Sequence, residues 1–314
     1  MLFCSAAAYA TDGADWERLA PGLEVTTLRD DDEPSPAELD RIEVVHFSAD
    51  LYPGRTAAFI RAATQAPNVR WFHTFSAGTD HPVFRSFLER GVRLTTSAGS
   101  SAVPIAHSVM LHLLSMCRNV RAYDGQQREH RWQPLGNTDI EGRVVGVIGM
   151  GSIGTEVARL AGQFGMRVIG TRRSPTGDEP CEIWAPSRLP ELLGIVDDLV
   201  LTAPLTDETR GMIGAAELAS MRPGAHLVNV GRGELIDEPA LVDALTSGHL
   251  GAACLDVFVT EPLPAGSPLW DLPNVTITPH AAAETRLTRR RADEAFTDNL
   301  GRYVRGEPLR NEVH

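Results

Sequence analysis

The chain has 314 residues, 43% hydrophobic and 22% charged, enough for two ordinary domains with sizeable cores and too apolar for a disordered chain. A formal net charge of −12 excludes nucleic acid and anionic membranes as principal partners, although a local cationic site for a small anion is compatible with it. Cys4, Cys117, Cys181 and Cys254 are scattered, with no C-x-x-C and no His/Cys cluster. They read as reduced thiols of a cytoplasmic protein, and neither a disulfide frame nor a metal site is expected.

Residues Met1 to Ala8 are apolar, without a basic run, and Asp12 and Asp15 follow soon after, so they read as a first strand and not as a signal peptide. Strands are predicted at Leu2–Ser5, Val25–Leu28, Glu43–Phe47, Val69–Phe75 and Val92–Thr96, with helices at Thr56–Gln65 and Val83–Arg90. Such alternation implies parallel strands covered by helices. The acidic run Asp30 to Pro36 reads as a solvated loop. Ala102–Cys117 is the longest apolar stretch, but His107, Ser108, His112 and Ser115 make it too polar, and it is too short, to span a bilayer. With Pro104 in its first turn it is expected to be a helix buried between domains or subunits.

The alternation then resumes, with strands predicted at Val144–Ile148, Arg167–Gly170, Leu199–Thr202, His226–Val230, Ala252–Val257 and Thr276–Thr278. The first of these runs straight into Gly149-Met150-Gly151-Ser152-Ile153-Gly154, a G-x-G-x-x-G turn followed by a helix-forming segment. In that order Gly149 makes the tight turn, Gly151 lets the backbone approach a pyrophosphate, and Gly154 lets the helix pack closely on the strand. The helix N-terminus supplies unpaired N–H groups and partial positive charge. Six parallel strands built this way form a doubly wound dinucleotide-binding, or Rossmann, domain. Glu284 to Arg305 reads as a charged helix returning to the first domain. The expected division is residues 1–98 with 285–314, and residues 99–284.

The next strand usually ends in an acid that holds the adenosine ribose hydroxyls. Here Arg172, Arg173 and Ser174 stand in that position. Guanidinium groups suit a 2′-phosphate that a carboxylate would repel, so NADP(H) is expected over NAD(H), with NAD(H) still possible. Arg172 and Arg173 also suit a plain solvated surface.

Three later strands are each followed by an unusual polar residue: Arg232, Glu261 and His280. Ligands of open α/β sheets bind beyond the carboxyl ends of the strands. Hydride transfer to a ketone needs a proton donor and a cation near the developing oxyanion. Histidine suits the proton, a neighbouring carboxylate favours its charged form, and arginine suits both a substrate carboxylate and the carbonyl oxygen. Singly, each residue also suits an ion pair, a turn or a loop; following strands of one sheet, they point to chemistry.

The glycine turn, the run Val228-Asn229-Val230-Gly231-Arg232-Gly233, the Asp256…Glu261-Pro262-Leu263 segment and Thr278-Pro279-His280 closely resemble the D-isomer-specific 2-hydroxyacid dehydrogenase family, in its glyoxylate/hydroxypyruvate reductase-like branch. The resemblance covers most of the chain. It implies an α/β protein with a Rossmann domain and a smaller flavodoxin-like substrate domain, both doubly wound parallel sheets, an active site in the cleft between them, and a homodimer.

It further implies that Arg232 orients substrate, that His280 is the acid/base beside the cofactor, and that Glu261 is its carboxylate partner. Ser152 and Ile153 would lie against the pyrophosphate, and Ala203-Pro204-Leu205-Thr206 with Thr209 along the adenosine. Val230, Gly231 and Asp256 would lie near the nicotinamide. Phe75-Ser76-Ala77-Gly78-Thr79-Asp80 resembles the family's substrate loop, whose N–H groups at Ala77 and Gly78 suit a carboxylate. Trp132 is open to a pocket role or an interface role. His107 departs from the family, which usually carries an acid there.

The reading is an NADPH-preferring reductase of small anionic 2-ketoacids of the glyoxylate, hydroxypyruvate or pyruvate kind. Two alternatives stand beside it: an NAD(P)-sensing regulator without turnover, and a dehydrogenase of a phosphorylated 2-hydroxyacid, for which Arg85 and Arg93 are the available extra cations.

Overall fold

The computed structural model describes residues 1–28, 34–79 and 81–313. The acidic part of the loop at residues 30–33, Asp80 of the substrate loop and the final residue of the expected first domain lie outside the described residues. The chain divides into two compact units, Met1–Ser101 with Thr285–His314, and Ala102–Glu284.

The first unit carries β1 (Leu2–Ser5), β2 (Val25–Leu28), β3 (Val44–Phe47), β4 (Trp71–Thr74) and β5 (Arg93–Thr96) as parallel strands. Their order is β5-β4-β3-β1-β2, the flavodoxin-like arrangement. Its helices before the second unit are α1 (Ala6–Leu19), α2 (Pro36–Leu39), α3 (Thr56–Gln65) and α4 (Pro82–Glu89). One face of the sheet packs Phe3, Phe47, Phe59, Phe72 and Phe87 into an aromatic core.

The sequence offers little sign of α1, because Thr11, Asp12, Gly13 and Asp15 are poor helix formers. Tertiary contacts hold it. Ser5 Oγ accepts the N–H of Ala8 at 2.9 Å as an N-cap, and Trp16 is fully buried.

The second unit opens with α5 (Ala102–Cys117) and α6 (Val120–Arg128). Its strands are β6 (Val144–Ile148), β7 (Arg167–Thr171), β8 (Glu182–Trp184), β9 (Asp198–Leu201), β10 (Ala225–Asn229), β11 (Leu250–Leu255) and β12 (Val275–Ile277). Between them run α7 (Ser152–Gln163), α8 (Leu189–Leu193), α9 (Ala215–Ser220) and α10 (Glu238–Thr246). The order β12-β11-β10-β9-β6-β7-β8 makes a 7-stranded sheet in which every pairing is parallel. This corrects the expectation of six strands. The extra strand β8 is short and flanked by Pro180 and Pro186, so it has no run long enough to show periodicity.

Within the single chain, helix α5 has one buried side. Ile105, Ala106, Val109, Met110 and Leu113 join the core shared with α7, but Leu111 on the opposite side is 64% exposed.

The last helix, α11 (Arg286–Arg305), belongs to the first unit, and β13 (Glu312–Val313) then pairs antiparallel with β5. Phe296 anchors α11. It is fully buried, stacked on Trp71 at 5.2 Å and on His46 at 4.0 Å, with Trp16 edge-on at 5.1 Å. Trp16 Nε1 also donates to Thr297 Oγ1 at 2.9 Å. Replacing Phe296 by Ala is expected to cost about 3–5 kcal/mol of first-unit stability, read as a lowered denaturant midpoint.

Candidate active site

Strand order reverses between β6 and β9, and the glycine turn sits at that switch point. Gly149 has φ +101°, and a Cβ there would lie 2.6 Å from the Ala203 backbone. A Cβ on Gly154 would lie 2.1 Å from the Gly149 carbonyl oxygen. Only a hydrogen fits at these two positions, and helix α7 therefore starts hard against the strand end. Gly151 is its N-cap, and no side chain caps the helix. The N–H groups at Ser152 and Ile153 thus start α7 without a side-chain cap, the kind of helix end that suits an anion. Opposite, the Ala203–Thr209 turn is closed internally: Thr209 Oγ1 donates to the Pro204 carbonyl at 2.7 Å and accepts the Thr206 N–H at 2.8 Å. The cradle fits a dinucleotide pyrophosphate.

Arg172 and Arg173 follow β7, and each faces an acid. Arg172 Nη1 lies 3.5 Å from Glu179 Oε1, and Arg173 Nη1 lies 3.1 Å from Glu208 Oε2. Glu179 is anchored by the N–H groups of Thr176 and Gly177 at 2.7 and 2.9 Å, with the Thr176 hydroxyl at 3.0 Å. The Thr176 N–H leads in holding its carboxyl down at about 2. Glu208, by contrast, is 74% exposed. Neither partner is legible from residue order, since both lie in loops whose closure depends on tertiary structure.

The reactive residues stand on turns after β10, β11 and β12. Backbone pairing continues past the strand ends: the Asp256 N–H donates to the Asn229 carbonyl at 3.0 Å, and the His280 N–H to the Asp256 carbonyl at 2.8 Å. His280 has φ 52°, in the left-handed region uncommon for side-chain-bearing residues. The Asp256 carboxylate, 3% exposed, maintains that turn by accepting from the Thr278 hydroxyl and from the N–H groups of Ala281 and Ala282.

His280 Nδ1 lies 2.7 Å from Glu261 Oε2, and Glu261 Oε1 accepts the Phe258 N–H at 2.9 Å. The carboxylate therefore orients the imidazole ring and favours the proton on Nδ1, with Nε2 on the other side of the ring. Arg232 Nη1 donates to the Gly231 carbonyl at 2.7 Å. Next to it, a Cβ on Gly233 would fall 1.9 Å from the Phe258 carbonyl carbon. The arginine turn and the segment that orients Glu261 are thus in direct backbone contact. Val230 is buried at the base of the same turn, at 6% exposure.

Arg232, Glu261, His280, Asp256, Val230, Gly231 and the glycine cradle all belong to the second unit, at the carboxyl edge of its sheet. Ala77 and Gly78 belong to the first unit, in a turn after β4 where Ser76 Oγ donates to the Gly78 carbonyl at 2.8 Å. Asn229 was not among the expected site residues. A lone amide inside the apolar run Leu227-Val228-Asn229-Val230 was its signal. Among the described residues, no three His, Cys, Asp or Glu side chains gather as a metal site.

A pyrophosphate cradle at the switch point, with an imidazole–carboxylate pair on the same sheet edge, defines a dehydrogenase of the doubly wound class. The family model for the NAD binding domain of D-isomer specific 2-hydroxyacid dehydrogenases matches residues 110–282. The glyoxylate reductase of Korarchaeum cryptofilum is 36% identical over 258 residues, covering 79% of this chain and 77% of that protein. The chain belongs to the D-isomer-specific 2-hydroxyacid dehydrogenase family. Among solved structures, a family member from Xanthobacter autotrophicus Py2 in complex with NADPH and MES superposes with a TM-score of 0.81 at 31% identity, covering 100% of this chain and 97% of that one. The NADPH-dependent glyoxylate/hydroxypyruvate reductase of Sinorhizobium meliloti, in complex with NADP and sulfate, gives 0.79 at 30% identity, covering 99% and 97%.

Replacing Gly233 by Ala is expected to force the Arg232 turn away from Phe258, at an overpacking cost of about 1–3 kcal/mol or more. Turnover should fall steeply while cofactor affinity, measured by fluorescence titration, changes little.

Proposed function

We propose that this protein is an NADPH-preferring reductase of small 2-ketoacids of the glyoxylate, hydroxypyruvate or pyruvate kind, yielding D-2-hydroxyacids. The observation that carries the reading is the 2.7 Å contact between His280 Nδ1 and Glu261, on the same sheet edge as the glycine cradle and Arg232. Glyoxylate reductases among the relatives, and neighbours solved with NADPH or NADP, support the substrate class and the cofactor.

Gly149, Gly151, Ser152, Ile153 and Gly154 would hold the pyrophosphate, and Ala203, Pro204 and Thr209 would flank the adenosine. Arg172 and Arg173 would meet a 2′-phosphate, with Val230, Gly231 and Asp256 near the nicotinamide. The bound cofactor supplies hydride to the keto carbon. Arg232 grips the substrate carboxylate and offsets the negative charge growing on the keto oxygen. His280, in its charged form, passes the Nε2 proton to that oxygen, while Glu261 holds the Nδ1 proton and keeps the ring in place. The N–H groups of Ala77 and Gly78 are proposed as further donors to the carboxylate.

Arg93 donates through Nε and Nη2 to the two Glu312 carboxylate oxygens, at 2.7 and 2.8 Å, which disfavours its use for a substrate phosphate in the phosphorylated-substrate alternative. A sensor without turnover has no need of the His280–Glu261 pair. We further infer a cytoplasmic homodimer. Trp132, 99% exposed, and Leu111 are apolar surface that a second copy would cover, and sedimentation equilibrium reads this directly.

In a panel of 2-ketoacids followed by loss of reduced-nicotinamide absorbance, NADPH should outperform NADH. Replacing Arg172 by Ala should raise the KM for NADPH about ten- to a hundredfold and leave that for NADH nearly unchanged. Equal efficiency with both cofactors in the wild type would overturn the preference. His280→Asn should lower kcat about 10²–10⁴-fold with NADPH affinity retained; undiminished turnover would refute the acid/base assignment.

A further inference from the structure

Asn229 ends β10 and is 1% exposed, yet the strand itself has no use for an amide. Its side chain closes the following turn from both sides. Oδ1 accepts the N–H of Gly231 at 3.0 Å, and Nδ2 donates to the carbonyl of Arg232 at 2.8 Å. A backbone N–H only donates and a carbonyl only accepts, so the amide can sit one way round. A short side chain offering one acceptor and one donor is what this turn requires, and asparagine is the residue that provides it.

The amide is itself held fast. The Asn229 carbonyl accepts the Asp256 N–H at 3.0 Å, so the sheet fixes the residue that closes the turn. Behind the turn, a Cβ on Gly231 would lie 2.9 Å from the Leu235 side chain and 3.1 Å from the Ala203 carbonyl oxygen. A side chain at Gly231 would therefore press on the turn that Asn229 closes.

We propose that Asn229 is a positioning residue for the reaction: its amide sets the direction in which Arg232 leaves the strand, and so the place of the guanidinium that grips the substrate carboxylate. The proposal rests on the ketoacid-reductase reading. Asn229 touches neither substrate nor cofactor in this account and acts only through Arg232. Small displacements of a substrate-orienting group cost large factors in rate, which gives a buried amide that touches no reacting atom its leverage.

The test is a double-mutant cycle on the full-length protein with NADPH and glyoxylate, with oxamate binding to the NADP-loaded protein as a second readout. Asn229→Asp keeps size and the acceptor for Gly231, but sets a carboxylate oxygen against the Arg232 carbonyl. It should lower kcat/KM for glyoxylate about ten- to a hundredfold and weaken oxamate, with the Kd for NADPH within about twofold of wild type. Arg232→Ala should lose more, and the N229D/R232A double variant should be no worse than R232A alone. Asn229→Ser, which removes the clamp without adding charge, should show the same split if N229D folds poorly. Losses that multiply in the double variant, a matching loss of NADPH affinity, or an N229D enzyme equal to wild type would each overturn the proposal. Wild-type protein that neither reduces a 2-ketoacid nor binds oxamate would overturn the reductase reading and this proposal with it.

Discussion

The site depends on backbone hydrogen bonds that continue after the strands have ended. The Asp256 N–H on the Asn229 carbonyl and the His280 N–H on the Asp256 carbonyl extend the sheet into its own loops. A histidine held at φ 52° would otherwise be free to relax. Here its N–H is tied to the sheet, and the buried Asp256 carboxylate takes up the N–H groups on its far side. The Glu261 contact then needs only a side chain of the right length. Turns tied by hydrogen bonds to the strand ends thereby carry the imidazole and the guanidinium.

Charge is arranged on the same principle. An acidic protein that takes anionic ligands must keep its cations where they are wanted, and each arginine after β7 is matched to a carboxylate. The Arg173–Glu208 pair is exposed on both sides, 73% and 74%, and such pairs contribute little, so its arginine is easily surrendered to another anion. Glu179 is bound by backbone N–H groups and stays in place, steadying the loop beside Arg172.

Much of this was legible beforehand where local chemistry decides the outcome. The glycine turn was readable because steric exclusion at Gly149 and Gly154 leaves one residue type possible. Helices α3 and α5 were readable to the residue, as were strands β1, β2 and β6. Helix α1 was not, because Trp16 and its packing on Phe296, not helix propensity, hold it. Strand β8 was too short to carry a pattern. Arg232, Glu261 and His280 were readable as types after strands, and the structure adds the Glu261–His280 contact. The residues that hold the site together were largely hidden: Asp256 was visible as a cofactor neighbour but not as the anchor of the histidine turn. Asn229 showed only as one amide in an apolar run. Their partners are backbone groups, which have no letter in a sequence.

One consequence follows from where Phe296 lies in the chain. The aromatic cluster of the first unit is made by Trp16, His46 and Trp71 from one end of the polypeptide and Phe296 from the other. On the ribosome, α1 can cover part of that face of the sheet, but the whole second unit must be synthesised before the closing helix arrives. The nucleotide-binding unit, Ala102–Glu284, is continuous and can finish first. The core of the first unit therefore closes only once residues from both sides of the second unit are present in the same chain.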